Sequence, residues 1–203
     1  MARHLKSGFA LVALFANGLP CAAAADLSLE VRDGSGRPVA DAVVFAAPVG
    51  GAAPTVKPHA RALIDQVNKE FVPKVSIFQA GTSVFFPNSD NIRHSIYSFS
   101  PAKVFTTKLY SGREAAPITF DHAGVVVLGC NIHDAMVAWV YIVDTPWFGK
   151  SGADGIGTLR GLPDGEYTIT AAAPAQNLPP KVLTLRVEGG AALHSSISLQ
   201  AAP

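Results

Sequence analysis

Glycine and proline interrupt this chain from end to end, 18 of the one and 15 of the other, and the stretches between them are short and rich in Val, Ile, Thr and Phe. Such punctuation favours many brief strands joined by turns and leaves little room for long helices. An all-β fold is the expectation. With 49% of its 203 residues hydrophobic, the chain can fill one core of ordinary size or two small ones, and disorder is excluded for most of it. Lys plus Arg number 16 against 15 Asp plus Glu. No basic face large enough to grip phosphates follows from that balance, and no nucleic-acid partner is expected.

The N-terminus reads as an address. Arg3, His4 and Lys6 precede an apolar run over residues 8–19, followed by Pro20, Cys21 and a series of alanines ending at Ala25. Residues 1–25 are therefore expected to be a cleaved signal peptide, since a membrane span needs roughly 20 apolar residues. Gly18 and Pro20 stand where a lipid-attachment signal at Cys21 would want Leu and a small residue, so export to the periplasm without an anchor is expected. Residues 123–143 are also apolar, but Asn131, His133 and Asp134 fall at their centre, where a membrane would make charge costly. Two strands around a polar loop fit better, and no membrane span is expected in the mature chain. Removal of Cys21 leaves Cys130 as the only cysteine, with no partner for an internal disulfide. In an oxidising compartment an idle thiol is a liability, so Cys130 is expected to be buried or engaged in chemistry.

Residues 26–47 read as two strands about the turn Asp33-Gly34-Ser35-Gly36, with Leu27, Leu29 and Val31 alternating with polar residues before the apolar run resumes at Val39. Residues 48–60 are rich in Ala, Gly and Pro, the texture of a surface connection, and mark a boundary. Further strands are predicted at 75–78, 82–86, 95–99, 118–120, 125–129 and 137–143, with 105–113 less regular. A second boundary falls near Pro146. Beyond it a glycine-rich passage leads to strands near 158–159, 167–171, 182–187 and 197–199.

The chemistry concentrates on one loop. Cys130, His133 and Met136 follow one another at intervals of three residues, offering a thiolate, an imidazole and a thioether, and a second imidazole, His94, stands upstream at the start of another strand-like run. Soft sulfur donors hold Cu(I), nitrogen donors accept Cu(II), and two imidazoles with a thiolate and a weak thioether are the donor set of blue-copper electron-transfer sites. A lone cysteine in an apolar strand is more often a small core residue. Here Met136 is the only methionine after the initiator, and its meeting with Cys130 and His133 favours metal over chance. His59, His122 and His194 are expected to be solvated, with His122 the substitute should His94 lie too far away. Phe71, Phe78, Phe85, Phe86, Phe99, Trp139 and Tyr141 are assigned to packing.

On these residues, 61–146 resemble the cupredoxins. The C-x-x-H-x-x-M loop is similar in spacing to that of amicyanin, the run Gly81-Thr82-Ser83-Val84-Phe85-Phe86-Pro87-Asn88 resembles the strand leading to the first histidine, and Ala123-Gly124-Val125 resembles the approach to the cysteine strand. The resemblance implies a cupredoxin-like Greek-key β-sandwich and one type 1 copper ion. His94, Cys130 and His133 would be its equatorial ligands, Met136 its axial one, and the edge of His133 its electron port. Two positions depart from the pattern. Ser95 stands where many cupredoxins have an Asn that ties the ligand loops together, and Asp134 stands where amicyanin-like loops have proline.

The flanks resemble something else. The stretch from Asp33-Gly34 to Ala42-Val43 is similar to the opening of carboxypeptidase-regulatory-like β-sandwiches, and Asp154-Gly155 with Leu159-Arg160-Gly161-Leu162-Pro163-Asp164-Gly165-Glu166-Tyr167 is similar to the middle of that family. The resemblance implies that residues 26–60 and 147–203 are the two parts of one Ig/transthyretin-like β-sandwich, with the copper domain 61–146 inserted in an exposed loop, where closure entropy grows only logarithmically with length. The other arrangement is an N-terminal hairpin packed on a separate C-terminal sandwich. The whole chain also looks like exported bacterial proteins described as methylamine utilisation proteins.

The first function these readings imply is a periplasmic one-electron carrier without chemistry on a substrate, serving a protein redox partner such as a periplasmic dehydrogenase or cytochrome. The second is a copper-binding module for delivery or sensing. A thiol enzyme with Cys130 as nucleophile ranks lower, because Met136 would have no role in it. The segment 61–146 carries as many acidic as basic side chains, so charge steering is expected to be weak and docking to rest on Ile132 and Ala135 around His133.

Overall fold

A computed structural model of the chain describes residues 24–54, 61–112 and 116–200. The described residues are all-β, as the Gly and Pro punctuation requires, with a single 3-10 turn at Pro174–Gln176. In chain order the strands are β1 (Ala24–Asp33), β2 (Val43–Pro48), β3 (Arg61–Leu63), β4 (Asp65–Val67), β5 (Glu70–Val72), β6 (Val75–Gln79), β7 (Thr82–Phe85), β8 (Ile96–Ser100) and β9 (Lys103–Thr106). They continue through β10 (Ile118–Phe120), β11 (Gly124–Cys130), β12 (His133–Val143), β13 (Phe148–Lys150), β14 (Ile156–Pro163), β15 (Gly165–Ala173), β16 (Leu178–Val187) and β17 (Leu193–Leu199). Among the described residues no helix is long and apolar enough to cross a membrane. The run 123–143 is the hairpin β11–β12.

Both ends of the chain build one core. β1 lies between β14, antiparallel, and β17, parallel, while β2 lies between β13 and β15 in a second sheet. β1 and β2 are thus not a hairpin but members of two different sheets. Leu27, Leu29 and Val31 of β1, Val44 and Ala46 of β2, and Trp147, Leu159, Ile169 and Leu199 from the far end share the buried cluster. Ser151 ties the ends together. Its hydroxyl donates to the Val39 carbonyl at 2.6 Å and accepts the Ala42 N–H at 2.9 Å. Gly155 sits at φ 79°, and a Cβ there would come within 2.7 Å of the Val31 carbonyl oxygen, so the Asp-Gly step needs its glycine on both counts. Residues 1–23 of the expected leader lie outside the described residues, as does His59. Ala24 and Ala25 open β1 opposite Pro163 and Leu162, and Ala25 is buried.

The middle of the chain builds a second core. A five-stranded sheet runs in the order β6-β12-β11-β8-β9 and a three-stranded one in the order β10-β7-β3. Alternation drives the burial: Val126, Leu128 and Cys130 of β11 point inward, as do Met136, Ala138, Val140 and Ile142 of β12, while Val125 and Val127 point out. Phe71, Phe86 and Phe120 fill the space, with Phe105 tilted against Phe86 and edge-on to Phe120, each at a ring distance of 6.2 Å. The assignment of Phe99 to packing is overturned. It faces outward from β8 and is 78% exposed, because Ile96 and Ser98 take the inward positions of that strand. A smaller apolar cluster joins the two cores, where Val43 and Ala172 meet Val75, Ile77, Tyr141 and Val143. Lys150 spans the same junction, its Nζ donating to Asp41 Oδ1 at 2.6 Å and to the Val75 carbonyl at 3.0 Å.

Candidate metal centre

Cys130 closes β11, opposite Ile96 of β8 on one side and His133 of β12 on the other. The β11–β12 ladder slips between Gly129 and Cys130, which lets two residues, Asn131 and Ile132, carry the chain over from one strand to the next. β12 begins at His133 and not after Met136. Met136 therefore sits inside a strand on the inward face, wholly buried in the apolar cluster that contains Cys130.

His94 reaches the same place from the segment just ahead of β8. Its backbone pairs with Tyr110 in both directions, at 3.0 and 2.9 Å, and its side chain is fully buried. Asn88 shapes the preceding loop, giving its Nδ2 protons to the Ile92 and Tyr110 carbonyls at 2.9 Å each and accepting the Asp90 N–H at 3.0 Å. Behind it the Tyr110 hydroxyl donates to the Phe86 carbonyl at 2.7 Å and also contacts Gln66 Nε2. Burial, together with the nearby Asp65 and Cys130 and against the Gln66 contact, pushes the Tyr110 phenol up to about 12.

His94, Cys130 and His133 thus converge. Their donor atoms all lie within 4.8 Å of one another, and both rings turn Nδ1 toward the sulfur, His94 at 3.6 Å and His133 at 3.9 Å. An ion bonded at about 2.3 Å to sulfur and about 2.0 Å to nitrogen places those donors roughly 3.5–3.8 Å apart for tetrahedral to trigonal angles. The His94 separation falls within that range and the His133 separation lies 0.1 Å beyond it. The two rings stand 5.1 Å apart at 57°. Cys130 is 3% exposed, whereas His133 is only half-buried and its neighbours Ile132, Asp134 and Ala135 are exposed. His122 and His194 are set apart from the cluster, His122 exposed and His194 on the outer strand β17.

Two features escaped the sequence reading. One is Asp90, whose Oδ2 lies 2.7 Å from His94 Nε2. Burial opposes the charge of this carboxylate, but the Lys69 N–H, the His94 ring and the Asn68 N–H outweigh it and hold its pKa below the ordinary value. Spacing alone could not reveal the contact, because four residues in an irregular loop define no common face. The other is Asn131, whose Nδ2 donates to Ser95 Oγ at 3.0 Å while its N–H reaches the Ser95 carbonyl at 3.3 Å. Ser95 thus joins the segment of His94 to the turn after Cys130, with the amide contributed from the cysteine side.

No protein-family profile and no curated protein matches the chain. Solved structures do. A copper-containing nitrite reductase (NirK) from Thermus scotoductus SA-01 is 27% identical over 47% of this chain, with a TM-score of 0.39, and the match spans only 25% of the reductase chain. A point mutant of amicyanin in its reduced Cu(I) form is 18% identical over 49% of this chain and 99% of its own, at a TM-score of 0.38. A purple cupredoxin from Nitrosopumilus maritimus is 24% identical over 41% of this chain and 99% of its own, at 0.36.

Proposed function

We propose that this chain is an exported type 1 copper protein that carries single electrons, with residues 61–146 forming a cupredoxin-like domain and His94, Cys130, His133 and, more weakly, Met136 holding the ion. The observation that carries the reading is the buried Cys130 sulfur with two Nδ1 atoms aimed at it from 3.6 and 3.9 Å. When bound, copper supplies a couple between Cu(II) and Cu(I) that a mixed sulfur and imidazole set serves in both states. The chain supplies the rest. Cys130, His94 and Met136 are buried and exclude water, and the packing around them, in β11, in β12 and ahead of β8, fixes their positions without help from the ion. His133 lies nearest the surface, beside Ile132 at 49% exposure, and gives electrons a short exit to an apolar docking surface. A protein redox partner such as a periplasmic dehydrogenase or cytochrome fits that exit.

The flanks complete the proposal. Residues 26–60 and 147–203 form a second β-sandwich that presents the copper domain, a reading supported by the ladder from β1 to β14 and β17 and by the core both ends share. The leader 1–25 directs the chain to the periplasm. Loading the purified chain with Cu(II) tests the central claim. Intense visible absorption from thiolate to copper charge transfer and a compressed copper hyperfine pattern in electron paramagnetic resonance are expected, both lost in Cys130→Ser; a colourless Cu(II) form overturns the reading. A delivery role is separated by kinetics, because a carrier exchanges electrons many times before it gives up its metal.

A further inference from the structure

We infer that Asp90 is a positioning residue of this site, fixing His94 in the tautomer that turns a bare Nδ1 toward Cys130 and setting a negative charge behind that ligand. The inference rests on the copper reading above and adds to it a residue outside the donor set.

The geometry permits one arrangement of the neutral ring. An ionised carboxylate only accepts, so the 2.7 Å contact between Asp90 Oδ2 and His94 Nε2 places the ring proton on Nε2. Nδ1 is then left with its lone pair, and it is the nitrogen that faces the Cys130 sulfur at 3.6 Å. His94 is fully buried and the Asp90 side chain only 11% exposed, so water competes weakly for this bond.

Asp90 is in turn held from elsewhere in the fold. The N–H groups of Asn68 and Lys69, at the turn between β4 and β5, donate to its Oδ1 at 2.6 Å and its Oδ2 at 2.9 Å. Both turn residues adopt left-handed backbone, with φ of 53° and 62°, a conformation that a lysine takes only at some cost. Asn88 grips the Asp90 backbone from the other side. A carboxylate clamped by a hairpin turn and bonded to a ligand imidazole orients the ring and raises its basicity, and loss of such a partner typically costs ten- to a hundredfold in metal affinity.

Asp90→Asn in the full-length chain tests this. One of the two oxygens becomes a donor facing backbone N–H groups, and the charge is gone. Cu(II) affinity, read by chelator competition, is expected to fall about ten- to a hundredfold, Cu(I) affinity to fall less, and the midpoint potential to rise. Asp121→Asn, which removes a surface charge paired to Lys103, is the control and leaves all three unchanged. Folded Asp90→Asn protein with wild-type affinities and potential overturns the inference. Should the variant not fold, the wild-type protein still decides. Long-range proton–nitrogen NMR of the metal-free chain is expected to show His94 protonated at Nε2, and a proton on Nδ1 overturns the inference. Wild type that takes up no copper at Cys130 defeats the copper reading instead, and the NMR result judges Asp90 independently.

Discussion

Asn131 and Ser95, the residues that directly follow Cys130 and His94 in the chain, are bonded to each other, amide nitrogen to hydroxyl oxygen at 3.0 Å. The same hydroxyl donates to the Thr107 carbonyl at 2.9 Å, and Thr107 Oγ1 accepts the Ile96 N–H at 2.8 Å. One small side chain therefore joins the cysteine loop, the segment of His94 and the segment that follows β9.

That sharing makes the two partners unequal. Ser95 is buried and Asn131 exposed, so Ser95→Ala strands polar groups in the interior, at a cost of about 1–3 kcal/mol, while Asn131→Ala forfeits one bond whose partner keeps another, about 0.5–1.5 kcal/mol. The double variant is expected to cost less than the sum, because both singles break the same contact. Urea unfolding of the metal-free protein reads all three values, and a larger loss for Asn131→Ala than for Ser95→Ala contradicts the account.

Gly129, just ahead of Cys130, is occupied from above by Tyr97. A Cβ on Gly129 would stand 2.6 Å from the Tyr97 Cζ atom, and the Tyr97 ring leans on the exposed Phe99 at 5.1 Å. Gly129→Ala must push the ring outward and is expected to cost about 1–3 kcal/mol. In a Tyr97→Ala background the obstruction is gone, and the same substitution is expected to be nearly neutral. Equal costs in the two backgrounds, measured by thermal unfolding, would show that the backbone and not the ring demands glycine.

The meeting of Cys130 with His133 was legible because the two share one hairpin, and a hairpin preserves sequence neighbours as spatial ones. Strands β11, β12 and β15 were legible for a similar reason: each has enough β-branched residues to declare a period of two. β3, β4 and β5 were not, since each has only three residues and a smaller share of β-branched and aromatic ones than β10 of the same length; Ile64 and Gln66 bond to the Phe85 and Pro87 carbonyls, and Phe71 is buried in the cluster that holds the inward residues of β12. Phe99 misled because an aromatic in a strand says nothing about which face it occupies, and the register that puts Ile96 inside is set by pairing with Cys130. Asp90 was invisible because its holders, Asn68 and Lys69, lie 22 and 21 residues away, on a turn that only the finished fold brings near.

Met136 separates packing from ligation. It is fully buried in the cluster with Cys130, Leu128 and Ala138, so Met136→Ala is expected to cost about 2–5 kcal/mol through the cavity it leaves. Met136→Leu keeps the volume and is expected to cost less than about 1.5 kcal/mol. If the thioether is a weak ligand, the leucine variant shifts the midpoint potential of the copper form while its stability hardly changes. An unmoved potential in a well-folded leucine variant would reduce Met136 to a core residue.

Tyr110 gives the fold an alkaline weakness with a definite sign. Its phenol is raised to about 12 by burial in the folded chain, against an ordinary value near 10 once unfolded. Below pH 10 the proton is bound in both states and stability does not depend on it. Between pH 10 and about 12 the unfolded chain releases the proton while the folded chain keeps it, so unfolding is favoured increasingly as pH rises. Tyr141 and Tyr167 are raised by burial as well and add to the slope. Tyr110→Phe removes one part of it, at the price of the bonds to Gln66 and the Phe86 carbonyl. Denaturation midpoints followed from about pH 9 to 12 are expected to fall more steeply in wild type than in Tyr110→Phe, even though the variant starts from a lower stability. Parallel slopes would mean that the phenol ionises alike in both states, and that the network behind His94 does not shield it.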